Sequence, residues 1–211
     1  VRTGATDFNR IVLIGASTGG GPAIETLLHA LPTLCPPLVL VLHMPDPYLT
    51  RFTERLDRKF RQEVRAAGNG VPLAPGRVLV APGGQTHTGV RRVPGGFECV
   101  EIHAPPRHGF YPSVDELFLS GVGFAQSVVG VIMTGLGRDG AEGLRQLRAG
   151  GAITIGQDKA SCAVYGMPRA AAALGGVMHS LPVSEISAAV CGFCAVKSAA
   201  AGPGPEGRFR P

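Results

Sequence analysis

A serine stands at the centre of Gly15-Ala16-Ser17-Thr18-Gly19, a G-x-S-x-G pattern directly after the apolar run Ile11–Ile14. A strand–turn–helix of this kind needs small neighbours, because the turn must be tight enough to project Oγ past the sheet edge. The helix start that follows offers backbone N–H groups to a developing oxyanion. The same residues also suit a glycine-rich turn that binds phosphate at a helix start, although the Lys of a P-loop and the full G-x-G-x-x-G spacing are missing. A serine hydroxyl is a weak nucleophile without a base to take its proton. His43 follows the second apolar run, Leu38–Leu42, and in a parallel sheet it shares the carboxyl edge with Ser17. Orienting the imidazole and stabilising its charged form requires a carboxylate. Asp139, reached from a third apolar run through the glycine-rich stretch Thr134–Gly140, suits that role and equally suits the N-cap of the next helix. Asp46 is nearer to His43 in sequence but ranks behind Asp139, since proximity along the chain does not orient a side chain.

The remaining histidines, at 29, 87, 103, 108 and 179, form no compact metal pattern, and hydrolysis by this set needs neither metal nor cofactor. His29 reads as a helix-surface residue. His108, in a segment rich in Pro, His and Gly, reads as a surface-loop residue that can also line the mouth of the site.

The elements that must position these groups alternate. Strands are expected over Ile11–Ile14, Leu38–Leu42, Val128–Met133 and Ala152–Ile155, and Gly76–Gly83 reads as a strand leaving one turn and entering another. Helices are expected over Pro22–Leu31, Tyr48–Phe60, from Ser113, and over Asp139–Arg148, Pro168–Leu174 and Ser184–Val190. Thr86–Arg92 and Phe97–Ile102 flank Pro94-Gly95-Gly96 and predict a hairpin, and Ala104–Tyr111 a surface loop. The rhythm selects an α/β fold: a doubly wound, mainly parallel sheet with an added antiparallel hairpin. Residues 9–193 form the expected domain, and 194–211, rich in Ala, Gly and Pro, an expected disordered tail.

With 211 residues, 45% apolar and 17% charged, the chain is long enough for one globular core. Apolar runs are too short for a membrane span, and the first ten residues lack the apolar stretch of a signal peptide. Five cysteines at irregular spacing do not describe a disulfide framework and favour reduced thiols in a cytoplasmic setting; Cys191-Gly-Phe-Cys194 lies outside the strand–helix junction where redox pairs sit. The formal charge of +5 is spread along the chain without interleaved aromatics, which argues against nucleic acid as a partner. The basic group Arg51, Arg55, Arg58, Lys59 and Arg61 reads as a solvated helix face, or a surface attracting an acidic protein.

Taken together, Ile14-Gly15-Ala16-Ser17-Thr18-Gly19-Gly20, His43-Met44-Pro45, Val80-Ala81-Pro82-Gly83, Pro112-Ser113-Val114-Asp115, Thr134-Gly135 with Gly137 and Asp139-Gly140, and Ala160-Ser161-Cys162 with Tyr165-Gly166-Met167-Pro168 resemble the catalytic domain of the chemotaxis-type protein-glutamate methylesterase (CheB) family. The resemblance runs in one order from about Ile11 to Val190. It implies a serine hydrolase that demethylates γ-glutamyl methyl esters on the cytoplasmic helices of chemoreceptors, releases methanol, and deamidates selected receptor glutamines. It carries Ser17, His43 and Asp139 over as a triad in the order Ser-His-Asp. It also implies an oxyanion hole or pocket built from Thr18, Gly19, Leu136 and Met44, with Thr18 able to hydrogen-bond His43. Such enzymes normally carry a phosphorylatable receiver domain ahead of the esterase, and 211 residues are too few for both.

Several positions depart from the family pattern. Leu42 replaces a usual Gln before the histidine, and Leu136 a usual Met; Lys159 stands for a common acidic residue and Ala170 for a frequent Glu. Gly109-Phe110-Tyr111 replaces a basic, polar approach to Pro112, so His108, Phe110 and Tyr111 become candidate substrate-rim residues. These changes bear on pocket polarity. They keep two other readings in play: a regulatory interaction module that works by binding, and an esterase acting outside chemotaxis.

Overall fold

The computed structural model describes residue 8 and residues 10–195. The expected tail beyond 195 lies outside the described residues. Cys194, placed in that tail by the sequence, instead belongs to the last helix and is fully buried.

Six-residue β1 (Ile11–Ala16) is buried at every position, as a central strand covered on both faces must be. It pairs in parallel with β2 (Leu38–Leu42) on one side and with β7 (Val128–Ile132) on the other. The sheet continues through β4 (Arg77–Val80) to an edge strand β3 (Glu63–Ala66), and in the other direction through β8 (Ile153–Gln157) to β9 (His179–Leu181). All seven strands are parallel, in the order β3-β4-β2-β1-β7-β8-β9. The hairpin β5 (His87–Val93) with β6 (Gly96–Ile102) is a separate antiparallel ribbon. This is the doubly wound sheet with an added hairpin that the alternating pattern predicts. The sequence missed β3, of which only Val64 is buried, and the three-residue β9. Neither has the apolar run by which buried strands announce themselves.

Helices cover both faces. On one lie α1 (Gly20–Ala30), α2 (Asp46–Lys59) and α6 (Val183–Cys194); on the other α3 (Val114–Ser120), α4 (Ala141–Ala149), α5 (Met167–Ala173) and the hairpin. In α2, Leu49, Phe52, Thr53 and Leu56 are the buried positions, a 3–4 spacing that leaves the basic residues in solvent. Burying each large apolar side chain there contributes about 1.5–3 kcal/mol. No described helix is long and apolar enough to cross a membrane.

Successive connections from β1 to β2 and from β1's other neighbour β7 run to opposite sides of the sheet. A crevice therefore opens at the carboxyl ends of β1 and β7, where open α/β sheets place their sites.

Candidate active site

Ser17 leaves β1 at that crevice. Its N–H donates to Thr134 O at 3.0 Å, and Gly20 N–H donates back to Ser17 O at 2.7 Å, closing a tight turn into α1. Gly19 is the helix N-cap at φ 78°, a left-handed conformation that glycine adopts without a Cβ penalty. Just past the neighbouring strand β7, Thr134 Oγ1 donates to Thr18 O at 2.9 Å, tying the turn after β7 to the serine turn. Thr134 N–H is held in turn by Gln157 Oε1 at 2.9 Å, from the end of β8. Thr134 and Gln157 are buried polar residues that the sequence did not single out as supports of the site.

His43 leaves β2 with its N–H on Ala16 O at 3.0 Å, so the two turns run side by side. Its Nε2 lies 2.9 Å from Asp139 Oδ2. Asp139 is 1% exposed and accepts three further hydrogen bonds: Ser113 Oγ at 2.7 Å, Val114 N–H at 2.8 Å and Asp115 N–H at 3.0 Å. Burial works to raise its carboxyl, but the hydrogen bonds from His43, the two N–H groups and Ser113 outweigh it and hold the group below the ordinary aspartate value.

The capping role read for Asp139 is thereby corrected. Its own helix α4 is capped by Gly140, without a side-chain bond, while Asp139 sits at the N-terminus of α3. Asp115, in the first turn of α3, returns the favour by accepting Gly143 N–H of α4 at 2.7 Å. The two helices exchange carboxylates, and each anion meets a positive helix end. His87, fully buried, accepts Ser113 N–H on Nδ1 at 3.0 Å and donates from Nε2 to Pro105 O at 3.0 Å, which anchors the start of α3 to the hairpin.

An ionised Asp139 only accepts, so in the neutral imidazole Nε2 of His43 bears the hydrogen and Nδ1 the lone pair. Nδ1 is buried and has no hydrogen-bond partner. Ser17 and His43 line one cleft of about 530 Å³ with Thr18, Met44, Pro45, Gly109, Phe110, Tyr111, Leu136 and Gly137. Of the candidate rim and pocket residues, Thr18, Met44, Leu136, Phe110 and Tyr111 line this cleft. No hydrogen bond joins Thr18 to His43, and Gly19 faces Thr134 and Ala163 outside the cleft wall. Half of the lining residues are exposed, among them Leu136 at 68%, so the cleft is an open trough. Among the described residues, the N–H groups of Thr18, Gly19, Leu136 and Gly137 donate to no protein acceptor. Of these residues, Thr18, Leu136 and Gly137 line the cleft, while Gly19 lies outside its wall.

The segment read as a surface loop is folded over the site. The Phe110 ring stacks on His43 with centroids 3.7 Å apart and planes 6° from parallel, and Tyr111 Oη donates to Ala104 O at 3.0 Å. His108 does not reach the cleft mouth. At φ 52° it turns away, and its Nε2 lies 3.0 Å from Asp115 Oδ2. Leu42 is corrected too: it is 1% exposed and packs beneath α1, so it does not set the polarity of the cleft. Asp46 makes no bond to His43 and closes against Gly83.

His108, Asp115 and Asp139 present potential ligand atoms within 4.8 Å of one another. Their carboxylate oxygens already accept N–H and O–H donors, and the Arg107 guanidinium adjoins Asp115 at 3.5 Å. That donor set fits hydrogen bonding, not a cation. Burial raises Cys35, Cys99 and Cys194 to about 11, 12 and 12, which makes them inert core thiols.

A family model described as CheB methylesterase matches residues 12–190. The chain belongs to the CheB methylesterase family. It is similar to the crystal structure of the Thermotoga maritima CheB methylesterase catalytic domain, with a TM-score of 0.83 and 30% identity over 87% of this chain and 98% of that one. It is 48% identical over 191 residues to a protein-glutamate methylesterase/protein-glutamine glutaminase of Gluconobacter oxydans, covering 89% of this chain and 54% of the relative. A protein of the same description from Caulobacter vibrioides is 46% identical over 181 residues, covering 85% and 52%. The chain spans about half the length of the curated relatives it matches.

Proposed function

We propose that this CheB-family chain is a serine hydrolase that demethylates γ-glutamyl methyl esters on the cytoplasmic helices of chemoreceptors, with glutamine deamidation as a second activity of the same centre. The observation that carries the reading is the unpartnered Nδ1 of His43, held by Asp139 on the opposite nitrogen within the cleft that Ser17 lines. Nδ1 takes the Ser17 proton as Oγ attacks the ester carbonyl. The carbonyl electron pair moves onto oxygen, where the free N–H groups of the Ser17 and Leu136 turns receive it. The imidazolium then protonates departing methoxide as the tetrahedral intermediate collapses to the acyl-enzyme. Water, deprotonated by Nδ1, releases the glutamate and restores Ser17. A glutamine side chain follows the same path with ammonia as the leaving group. Asp139 keeps Nε2–H in place and balances the imidazolium charge.

An open trough favours a protein segment over a small ester, which would want a deep enclosed acyl pocket. The exposed Leu136 and half-buried Met44 and Phe110 offer apolar contact to one face of a helix. A phosphorylatable receiver domain is the regulatory partner proposed for the parent protein. A serine-directed sulfonyl fluoride tests the nucleophile: peptide mapping should place the adduct on Ser17, with loss of ester hydrolysis in step. An adduct elsewhere, with hydrolysis lost, would overturn the assignment.

A further inference from the structure

Behind the His43–Asp139 pair lies a second one. Asp115 is fully buried, donates its N–H to Asp139 Oδ1, and holds His108 Nε2 at 3.0 Å on its own Oδ2. Arg107 closes the far side, with Nε 3.5 Å from Asp115 Oδ2 and Nη1 2.7 Å from Glu116 Oε1. Two carboxylates this close cannot both ionise at ordinary cost unless cations compensate them. Burial and the Asp139 charge push the Asp115 carboxyl up, against the pull of Gly143 N–H, His108 and Arg107. The loop that supplies His108 and Arg107 also supplies Phe110, which covers His43.

We infer that Asp115, with Arg107 as its counter-cation and His108 as its hydrogen-bond partner, is a positioning residue whose charge, relayed through Asp139, sets the pH range over which His43 serves as a base. The inference rests on the reading of His43 as the base for Ser17. Around this cluster stand Asp115 and Glu116 on α3, Arg107 on the loop, Asp139 and Arg138 on the turn after β7, and Glu142 on α4, itself paired with Arg145. Glu116 and Glu142 are each neutralised by an arginine. Asp115 is the carboxylate whose balance reaches Asp139 directly.

The signature is a pair of shifts of opposite sign. Asp115→Asn removes a negative charge while keeping an oxygen for Gly143 N–H, so the imidazolium loses support and the His43 midpoint falls. Arg107→Gln removes a positive charge at a partly exposed side chain, so the midpoint rises. At an effective dielectric of about 20 to 40, one unit charge a carboxylate away moves a midpoint by roughly half a unit to one unit. The double variant should return close to the wild-type value.

The test is a proton NMR titration of the His43 ring in the full chain, assigned against His43→Gln, beside the acid limb of kcat/KM for a small neutral ester. Opposed shifts with return in the double variant are expected. Midpoints unchanged in both single variants, or moved in the same direction, would overturn the inference. The titration needs no substrate, so it fails independently of the hydrolytic reading, which fails instead if Ser17→Ala retains ester hydrolysis. Arg107→Gln, being at the surface, keeps the test decisive if Asp115→Asn does not fold.

Discussion

The Phe110 ring lies flat on the His43 imidazole, 3.7 Å from centroid to centroid. The stack covers one face of the ring and leaves its edge clear, so that Nε2 meets Asp139 while Nδ1 has no partner. It restrains the plane in which Nε2 meets Asp139, and its π-face favours the imidazolium that forms during turnover. At about 1 kcal/mol for such a contact, Phe110→Leu should lower kcat roughly fivefold with KM for a small ester little changed. Phe110→Tyr should retain most of the rate. Steady-state kinetics on the three proteins checks this; equal kcat values would remove Phe110 from the account.

Asp139 is asked to orient His43 and to hold the start of α3. Asp139→Asn keeps oxygen for one donor but presents an amide where Nε2–H needs an acceptor, and should lose about a thousandfold or more in kcat. Its stability effect has a pH sign. The folded carboxyl lies below its unfolded value, so its contribution is fully present above the unfolded value of about 3.9 and is lost as pH falls through the folded one. The wild-type advantage over Asp139→Asn in thermal melts should therefore be constant near neutral pH and shrink below about pH 4. An advantage that persists unchanged in acid would contradict the charge-assisted geometry.

Much of this arrangement was legible in the sequence, and the boundary has a physical cause. The placement of Ser17 and His43 at one sheet edge is legible because each directly follows a fully buried parallel strand, which reads as a short branched apolar run. What escaped was relation without periodicity. Asp139 caps α3 across 25 residues of chain instead of its own helix, and no local pattern distinguishes the two. Leu42 ends a strand whose alternation does not say which face meets the cleft. His108 turns to Asp115 because a left-handed backbone carries it there, a conformation not encoded in its residue type. Gln157, at the end of β8, supports the site through Thr134 in the turn after β7, a relation visible only once β8 is in register.

Gly166 packs its Cα against the turn that carries the free N–H groups. A Cβ there would lie 2.5 Å from Gly135 O and 3.1 Å from Gly137 N. Backbone cannot swing aside as a side chain can, so Gly166→Ala should cost about 1–3 kcal/mol and depress kcat through the displaced turn. Urea unfolding together with kinetics tests both parts; wild-type values in each would refute the packing.

Leu136 projects into solvent at the cleft rim, 68% exposed. Leu136→Ser should change stability by no more than about 0.5 kcal/mol and leave hydrolysis of a small ester intact. It should raise KM for a receptor helix several-fold. Unchanged KM on the protein substrate would move the docking contact elsewhere.

The central claim is that Ser17 is the nucleophile of a receptor methylesterase. Methanol released from methyl-esterified chemoreceptor membranes, measured for wild type and Ser17→Ala at equal concentration, tests it most directly. The account predicts release by the wild type and none above background by a Ser17→Ala protein with the wild-type circular dichroism spectrum. Release by the folded variant at a rate near wild type would contradict it.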